Sequence, residues 1–146
     1  MKRVRKVVTY ITEGNSLLVF RHRDFPEVGL QVPAGTVEEN EELERAALRE
    51  AAEETGLKNF GAVRYLGTSD YDISVLRPEI HERHFFHLEA LPPVPKEWVH
   101  FETSPSGGDG KPIAFNCFWI DRKEADSRLF LGFGEMLGKI YTEQAA

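Results

Sequence analysis

Glu50, Glu53 and Glu54 stand at i, i+3 and i+4 in the sequence. On an α-helix that spacing confines them to an arc of roughly 100°. Like charges so placed repel, by about a few tenths of a kcal/mol per pair on an isolated helix. Taken alone, the trio describes an ordinary solvated acidic face. The alternative is a carboxylate cluster that a hard cation neutralises. The segment contains no histidine or cysteine, and oxygen-only ligands suit Mg²⁺, or Mn²⁺, rather than zinc. Between Glu38 and Glu54 there are eight glutamates against two arginines, Arg45 and Arg49, so this stretch carries the whole formal net charge of −6. An acidic balance spread over a chain speaks of solubility; one confined to a single segment asks for a local reason.

The neighbouring residues supply that reason. The segment reads Gly35, five residues, Glu41, seven residues, Arg49-Glu50-Ala51-Ala52-Glu53-Glu54-Thr55-Gly56-Leu57. This resembles the Nudix box, in which a glycine, a glutamate, an Arg-Glu pair, a Glu-Glu pair and a second glycine recur at these intervals. All its fixed positions match, and at background frequencies a chance match at a given start is on the order of one in 10⁸. Ala51 fills a slot where the family usually has a bulkier aliphatic residue, a departure that touches packing and leaves the chemistry alone.

The resemblance implies a Mg²⁺-dependent pyrophosphohydrolase that cleaves a phosphoanhydride bond in a nucleoside diphosphate linked to another moiety: a nucleotide sugar, ADP-ribose or an NTP-like molecule. It makes Glu50, Glu53 and Glu54 the metal ligands, with the carbonyl of Ala34 as a further one. The water is activated by one of these glutamates or by one from a late loop, where Glu97 and Glu102 are the candidates. Arg49 and Glu41 take supporting roles, Arg49 by holding a neighbouring carboxylate. Gly35 is expected to let the backbone turn tightly before the helix, and Gly56 to end the helix. Arg21 and Arg23, just ahead of the box, are the candidates for meeting phosphates. The family's subclass marks are not at their expected offsets, although Tyr71 and Pro78 lie nearby, so no subclass is assigned.

The elements that must position these residues read as follows. Val4–Thr12, rich in β-branched residues, and Leu17–Phe20 predict a hairpin about the turn at 13–16. Leu30–Val32 is short and extended. Asn40 is expected to cap a helix over Glu41–Thr55, with acidic residues in its first turn and Gly56 at its C′ position. Leu48, Ala51, Ala52 and Thr55 form the face expected to lie on a sheet, with the carboxylates turned away from it. Gly61–Gly67, Glu82–Ala90 and Ile113–Ile120 predict further strands, Ser104–Gly110 a surface loop, and Gly134–Gln144 a terminal helix. His81, His84 and His87 share one strand, where alternation separates His84 from the other two, so no zinc site is expected. Strands on both sides of one helix make the class α+β, or a mixed α/β/α sandwich. The resemblance implies the Nudix fold, with a mixed sheet and a loop-helix-loop catalytic motif.

At 146 residues the chain suits a single domain, 1–146. Its one cysteine, Cys117, excludes an internal disulfide. The basic first residues lack the apolar run of a signal peptide, and no stretch is long enough to span a membrane. The reading is a soluble, cytoplasmic protein without a membrane partner. The expected ligand is a small nucleotide-like molecule rather than nucleic acid. A 5′-triphosphate RNA end contains the same bond, but RNA binding asks for an extended basic surface, and Lys2, Arg3, Arg5, Lys6, Arg21 and Arg23 form only a modest cluster. A catalytically silent Nudix-fold binding or regulatory domain is the other alternative, disfavoured because all three carboxylates are kept. A homodimer is left open.

Overall fold

The computed structural model describes residues 1–102, 111–125 and 127–140. Strand β1 (Lys2–Glu13) and strand β2 (Ser16–His22) form the expected antiparallel hairpin. Their register holds at Thr12↔Leu17 and Glu13↔Ser16. Further down β1, its partner is instead the short strand β3 (Ala34–Thr36), at Lys6↔Thr36, Val7↔Gly35 and Val8↔Ala34. The start of the box is thereby stitched to β1. The helix α1 (Leu43–Thr55) follows, then β4 (Phe60–Asp72), β5 (Glu79–Ala90), β6 (Glu97–Glu102), β7 (Ile113–Asp121) and a short helix α2 (Arg122–Ala125). The sheet order is β4-β5-β1-β2-β7-β6, with β3 beside β1, and the β1–β5 pair is parallel. The sheet is therefore mixed.

Alternation along the strands sorts side chains onto two covered faces. Val7, Ile11, Leu18 and Phe20 lie with Phe86, Leu88 and Phe115 against Ala46, Ala47 and Ala51 of α1. Three alanines at the contact allow the helix backbone to sit close to the sheet. Val8, Tyr10, Val19 and Phe85 point the other way, onto Leu137, Ile140 and Phe133. The Tyr10 hydroxyl donates to Phe133 O at 2.5 Å and accepts from the Met136 N–H at 3.1 Å, while Lys139 Nζ donates to Leu66 O at 2.6 Å. These bonds fasten the C-terminal segment to its face of the sheet. Among the described residues no helix is long and apolar enough to cross a membrane.

The boundaries differ from the expectations in several places. The helix begins at Leu43, with Glu42 at the N-cap. Asn40 has φ 64° and does not cap it. Glu41, outside the helix, spends its carboxylate on Arg49 and on the Glu38 N–H. Gly56 does end the helix, at φ 80°, with its N–H on Ala52 O. β3 and β6 were not expected, because neither has a long alternating pattern of its own. β3 exists by pairing with β1, distant in sequence, and β6 by pairing with β7, the next strand along the chain. Of the helix expected over Gly134–Gln144, residues 137–140 are helical and 134–136 form a turn, while 141–144 and the 104–110 loop fall outside the described residues.

Candidate active site

The centre of the site is Arg49. Its Nε donates to Glu41 Oε2 at 2.8 Å and its Nη2 to Glu41 Oε1 at 2.9 Å, a bidentate pair. Nη2 also reaches Thr36 O at 3.0 Å, and Nη1 reaches Glu50 Oε1 at 2.8 Å and Glu53 Oε2 at 3.3 Å. One guanidinium thus ties the box loop, β3 and two helix carboxylates together. The Arg49 hydrogen bonds hold Glu41 down at about 2, well below the usual carboxylate range.

Glu50 and Glu54 are both 7 % exposed. This corrects the expectation that the carboxylates turn away from the packed face. Positions 47, 50, 51 and 54 follow one stripe of a 3.6-residue helix, so two of the three glutamates lie along the contact with the sheet. Glu53 remains exposed. Glu54 Oε1 accepts from the Ala34 N–H at 2.9 Å, so it is the amide of Ala34 that touches the cluster directly. Burial pushes the Glu54 carboxyl well above its ordinary value, and the charges of Glu50 and Glu102 push the same way. Burial also raises Glu50, against the pull of Arg49.

Gly35 is extended within β3, not in a tight turn as expected. Its requirement is space: a Cβ there would lie 2.0 Å from Glu50 Cδ. The absent side chain is the cradle that holds the Glu50 carboxylate.

Strand β6 delivers a further carboxylate. Trp98 Nε1 donates to Thr55 O at 2.7 Å and His100 Nε2 to Glu53 O at 2.8 Å. Both bonds pin the strand to the C-terminal half of α1. Residues 98, 100 and 102 share that side of β6, and Glu102 is thereby brought towards Glu50 and Glu53. Burial first, then the charges of those two glutamates, push the Glu102 carboxyl up to about 7. Glu97 sits on the same strand but with the opposite parity, roughly 16 Å along it at strand rise. It is exposed and lines a groove with Arg21 and Phe118. Neither late glutamate is on a loop, and the structure does not bring Glu97 to the cluster.

Arg21 and Arg23 are not brought there either. Arg21 shares the face of Val19, away from α1, and its guanidinium lies over the Phe118 ring at 5.5 Å. Arg23 lies over Phe101 at 5.3 Å, and Phe101 points to the same outer side of β6. Strand alternation, invisible without the sheet, removes both from the carboxylates.

A pocket of about 200 Å³ opens instead beside Gly35 and Glu54, on the other side of β3. Lys6, Arg77, His81 and Arg83 contribute its polar lining. Burial lowers the Lys6 ammonium and the His81 imidazole. Sequence reading passed over Arg77 and Arg83. Neither stands out, because β5 carries several other charged and histidine side chains, and the parallel β1–β5 register that unites Lys6 with Arg83 is not written in either strand alone. The three strand histidines are dispersed: His81 meets Glu79, His84 meets Glu82 and Tyr65, and His87 meets Thr12.

Two features bear on a cation at the carboxylates. Among the described residues no three His, Cys, Asp or Glu groups already converge as an ion cage, and Arg49 holds Glu50 and Glu53. The donor set is nonetheless all oxygen, partly buried and of one sign, and its repulsion is relieved by a hard divalent cation. The residues fit such an ion.

A sequence model of the NUDIX domain matches residues 2–131. An RNA pyrophosphohydrolase of Caulobacter vibrioides is 44 % identical over 64 residues, which is 44 % of this chain and 36 % of that protein. The match therefore spans about a third of the length of that relative. Among solved structures, a MutT NUDIX hydrolase from Burkholderia pseudomallei superposes with a TM-score of 0.67 at 18 % identity, covering 94 % of this chain and 98 % of that one. A NUDIX hydrolase from Nitrosomonas europaea gives 0.61 at 21 % identity, over 87 % and 78 %. At these identities the likeness is one of fold. With the matched domain model and the box residues gathered at one end of α1, the chain belongs to the Nudix family of hydrolases.

Proposed function

We propose that the protein is a Mg²⁺-dependent pyrophosphohydrolase acting on a phosphoanhydride of a nucleotide-like substrate. The observation that carries this reading is Glu54, a nearly buried carboxylate held by one backbone amide, with Glu50 and Glu102 as like-charged neighbours. Such a cluster costs stability until a cation joins it. Glu50, Glu53 and Glu54 are the carboxylates that would hold the ion, with the Ala34 carbonyl beside them. A divalent cation there supplies charge neutralisation for the phosphates and acidifies water.

The protein's own groups have distinct parts. Arg49 fixes the rotamers of Glu50 and Glu53 and leaves Glu54 to the Ala34 amide. Glu102 is brought towards Glu50 and Glu53 by β6, which Trp98 and His100 pin to α1, within the neighbourhood where a general base must stand. It is the preferred base over Glu97 and over the box glutamates. Hydrolysis adds water to one phosphorus of the anhydride and breaks its bridging P–O bond. The two halves of the substrate leave as separate phosphate products.

The experiment is a substrate panel with and without Mg²⁺: nucleoside triphosphates, ADP-ribose, nucleotide sugars and diadenosine polyphosphates. Turnover of one class that stops on chelation supports the reading. Nucleotide binding without turnover in either Mg²⁺ or Mn²⁺ overturns it in favour of a binding domain. An RNA 5′ end is the second reading, and the Caulobacter relative's name favours it. A 5′-triphosphorylated oligonucleotide therefore belongs in the panel.

A further inference from the structure

The pocket beside Gly35, which Glu54 also lines, holds the cations Lys6, Arg77 and Arg83, and of these Lys6 and Arg83 are strand neighbours. Lys6 on β1 is the register partner of Thr36 on one side and of Arg83 on the other, and Arg83 is in turn the partner of Ser69. A polar row thus crosses four strands, from the box loop outward. Adjacent strands are about 4.8 Å apart. Lys6 and Arg83 both line the pocket, so both side chains are on its side of the sheet.

Arg83 is 3 % exposed. Its guanidinium packs against the rings of Tyr71, 4.0 Å from the centroid, and Phe133, 4.5 Å away. Nη1 donates to Leu131 O at 2.6 Å. These contacts fix the plane of the fork but bring no negative charge. Among the described residues no carboxylate forms an ion pair with Arg83, nor with Lys6, whose Nζ donates to Thr36 Oγ1 at 2.7 Å. Glu135, the acid that acts on Arg83 through space, accepts a bond from Ser69, while Glu79 and Glu50 act through space on Lys6. A buried cation without a counter-charge is costly, and the remaining N–H groups of a guanidinium present a planar fork suited to phosphate oxygens.

We propose that Arg83, with Lys6 beside it, is a receptor for a phosphate outside the scissile anhydride. Substrates carrying such an additional phosphate are then preferred over nucleoside diphosphates joined to a neutral sugar. The row leads from Thr36, whose carbonyl is held by Arg49, away from the box, so the extra phosphate sits one strand further from the carboxylates than Lys6. Two molecules offer this chemistry: the terminal phosphate of a nucleoside triphosphate, and the first phosphodiester of a 5′-triphosphorylated dinucleotide. The proposal rests on the hydrolase reading above for its kinetic test, but its binding test does not.

The kinetic test compares kcat/KM for ATP, the triphosphorylated dinucleotide pppApA and ADP-ribose, in the wild type and in Arg83→Gln and Arg83→Lys. The wild type is expected to prefer one or both phosphate-rich substrates over ADP-ribose by at least about tenfold. Arg83→Gln should lower kcat/KM on them by about tenfold or more, mainly through KM. ADP-ribose should stay within about threefold, and Arg83→Lys should recover part of the loss. Preference for ATP alone assigns the terminal phosphate, and preference for the dinucleotide alone assigns the phosphodiester. A wild-type preference for ADP-ribose, or an equal loss on every substrate, overturns the proposal.

The binding test titrates inorganic tripolyphosphate and pyrophosphate into the wild type with Ca²⁺ present. Tripolyphosphate should bind about tenfold tighter or better, which is about 1.4 kcal/mol. Equal affinities here, together with equal affinities of the dinucleotide pApA and AMP in a parallel titration, overturn the proposal. This ratio needs no folded variant. It stands even when no substrate turns over, an outcome that would condemn the hydrolase reading alone.

Discussion

A Cβ placed on Gly35 would stand 2.3 Å from both carboxylate oxygens of Glu50. No rotation of a methyl group relieves such an overlap, so either the carboxylate or β3 must move. Gly35→Ala is expected to displace Glu50, weaken Mg²⁺ binding and lower kcat by roughly a hundredfold, about 2.7 kcal/mol of barrier. Melting temperature and Mg²⁺ titration on the same variant separate this from unfolding. A variant with wild-type Mg²⁺ affinity and activity would show that the cradle is irrelevant.

Arg49 distributes its donors over Glu41, Glu50, Glu53 and Thr36. A lysine keeps the charge but not the fork. Arg49→Lys is expected to destabilise the fold by about 1–3 kcal/mol and to lower kcat more than it raises KM. Glu41→Gln should lose part of the same stability at neutral pH. Glu41 is depressed in the folded state, to about 2, so its contribution is present above the ordinary glutamate range and disappears as pH falls through about 2. Denaturant melts of wild type and Glu41→Gln should therefore differ at pH 7 and converge towards pH 2.

Glu102 has the opposite sign. Its folded-state carboxyl is raised to about 7, so the folded protein binds more protons than the unfolded chain between about 4.5 and 7. Stability from this group is present below that window and is lost as pH rises through it. Without divalent ions, wild type should lose stability relative to Glu102→Gln as pH goes from 5 to 8. Adding Mg²⁺ should stabilise the wild type more at pH 8 than at pH 5. A pH-independent difference between the two proteins would contradict the placement of Glu102 against the cluster.

Cys117 is buried, and burial with the nearby charge of Glu54 pushes its thiol up to about 12. Only the thiolate reacts readily. The native protein should therefore resist a thiol reagent such as DTNB at pH 8, and denaturant should release one thiol per chain. Rapid labelling of the native protein would show that β7 opens.

What could be read from the sequence depended on how local its cause was. Glu50, Glu53 and Glu54 advertise themselves by spacing on one helix, and Gly56 by its place just after it. Gly35 is in a strand and not a tight turn because its close approach to Glu50 depends on β3 pairing with β1, 28 positions away at Val7↔Gly35 (35 minus 7). Glu97 and Glu102 are equivalent in the sequence, and β6 separates them by parity and by its length. The same alternation places Arg21 and Arg23 on the face away from the carboxylates. Lys6 and Arg83 could not be joined beforehand, because a parallel register between the first strand and the fifth has no local signature.

The helix carboxylates Glu53 and Glu54 are the groups on which metal-dependent hydrolysis depends most directly. The direct measurement is Mg²⁺-dependent turnover of the best substrate by wild type and by the Glu53→Gln, Glu54→Gln double variant, with Mg²⁺ affinity measured on both. The account predicts a folded variant with weakened Mg²⁺ binding and at least roughly a hundredfold lower kcat, about 2.7 kcal/mol. A folded variant that keeps wild-type turnover and Mg²⁺ affinity would contradict it.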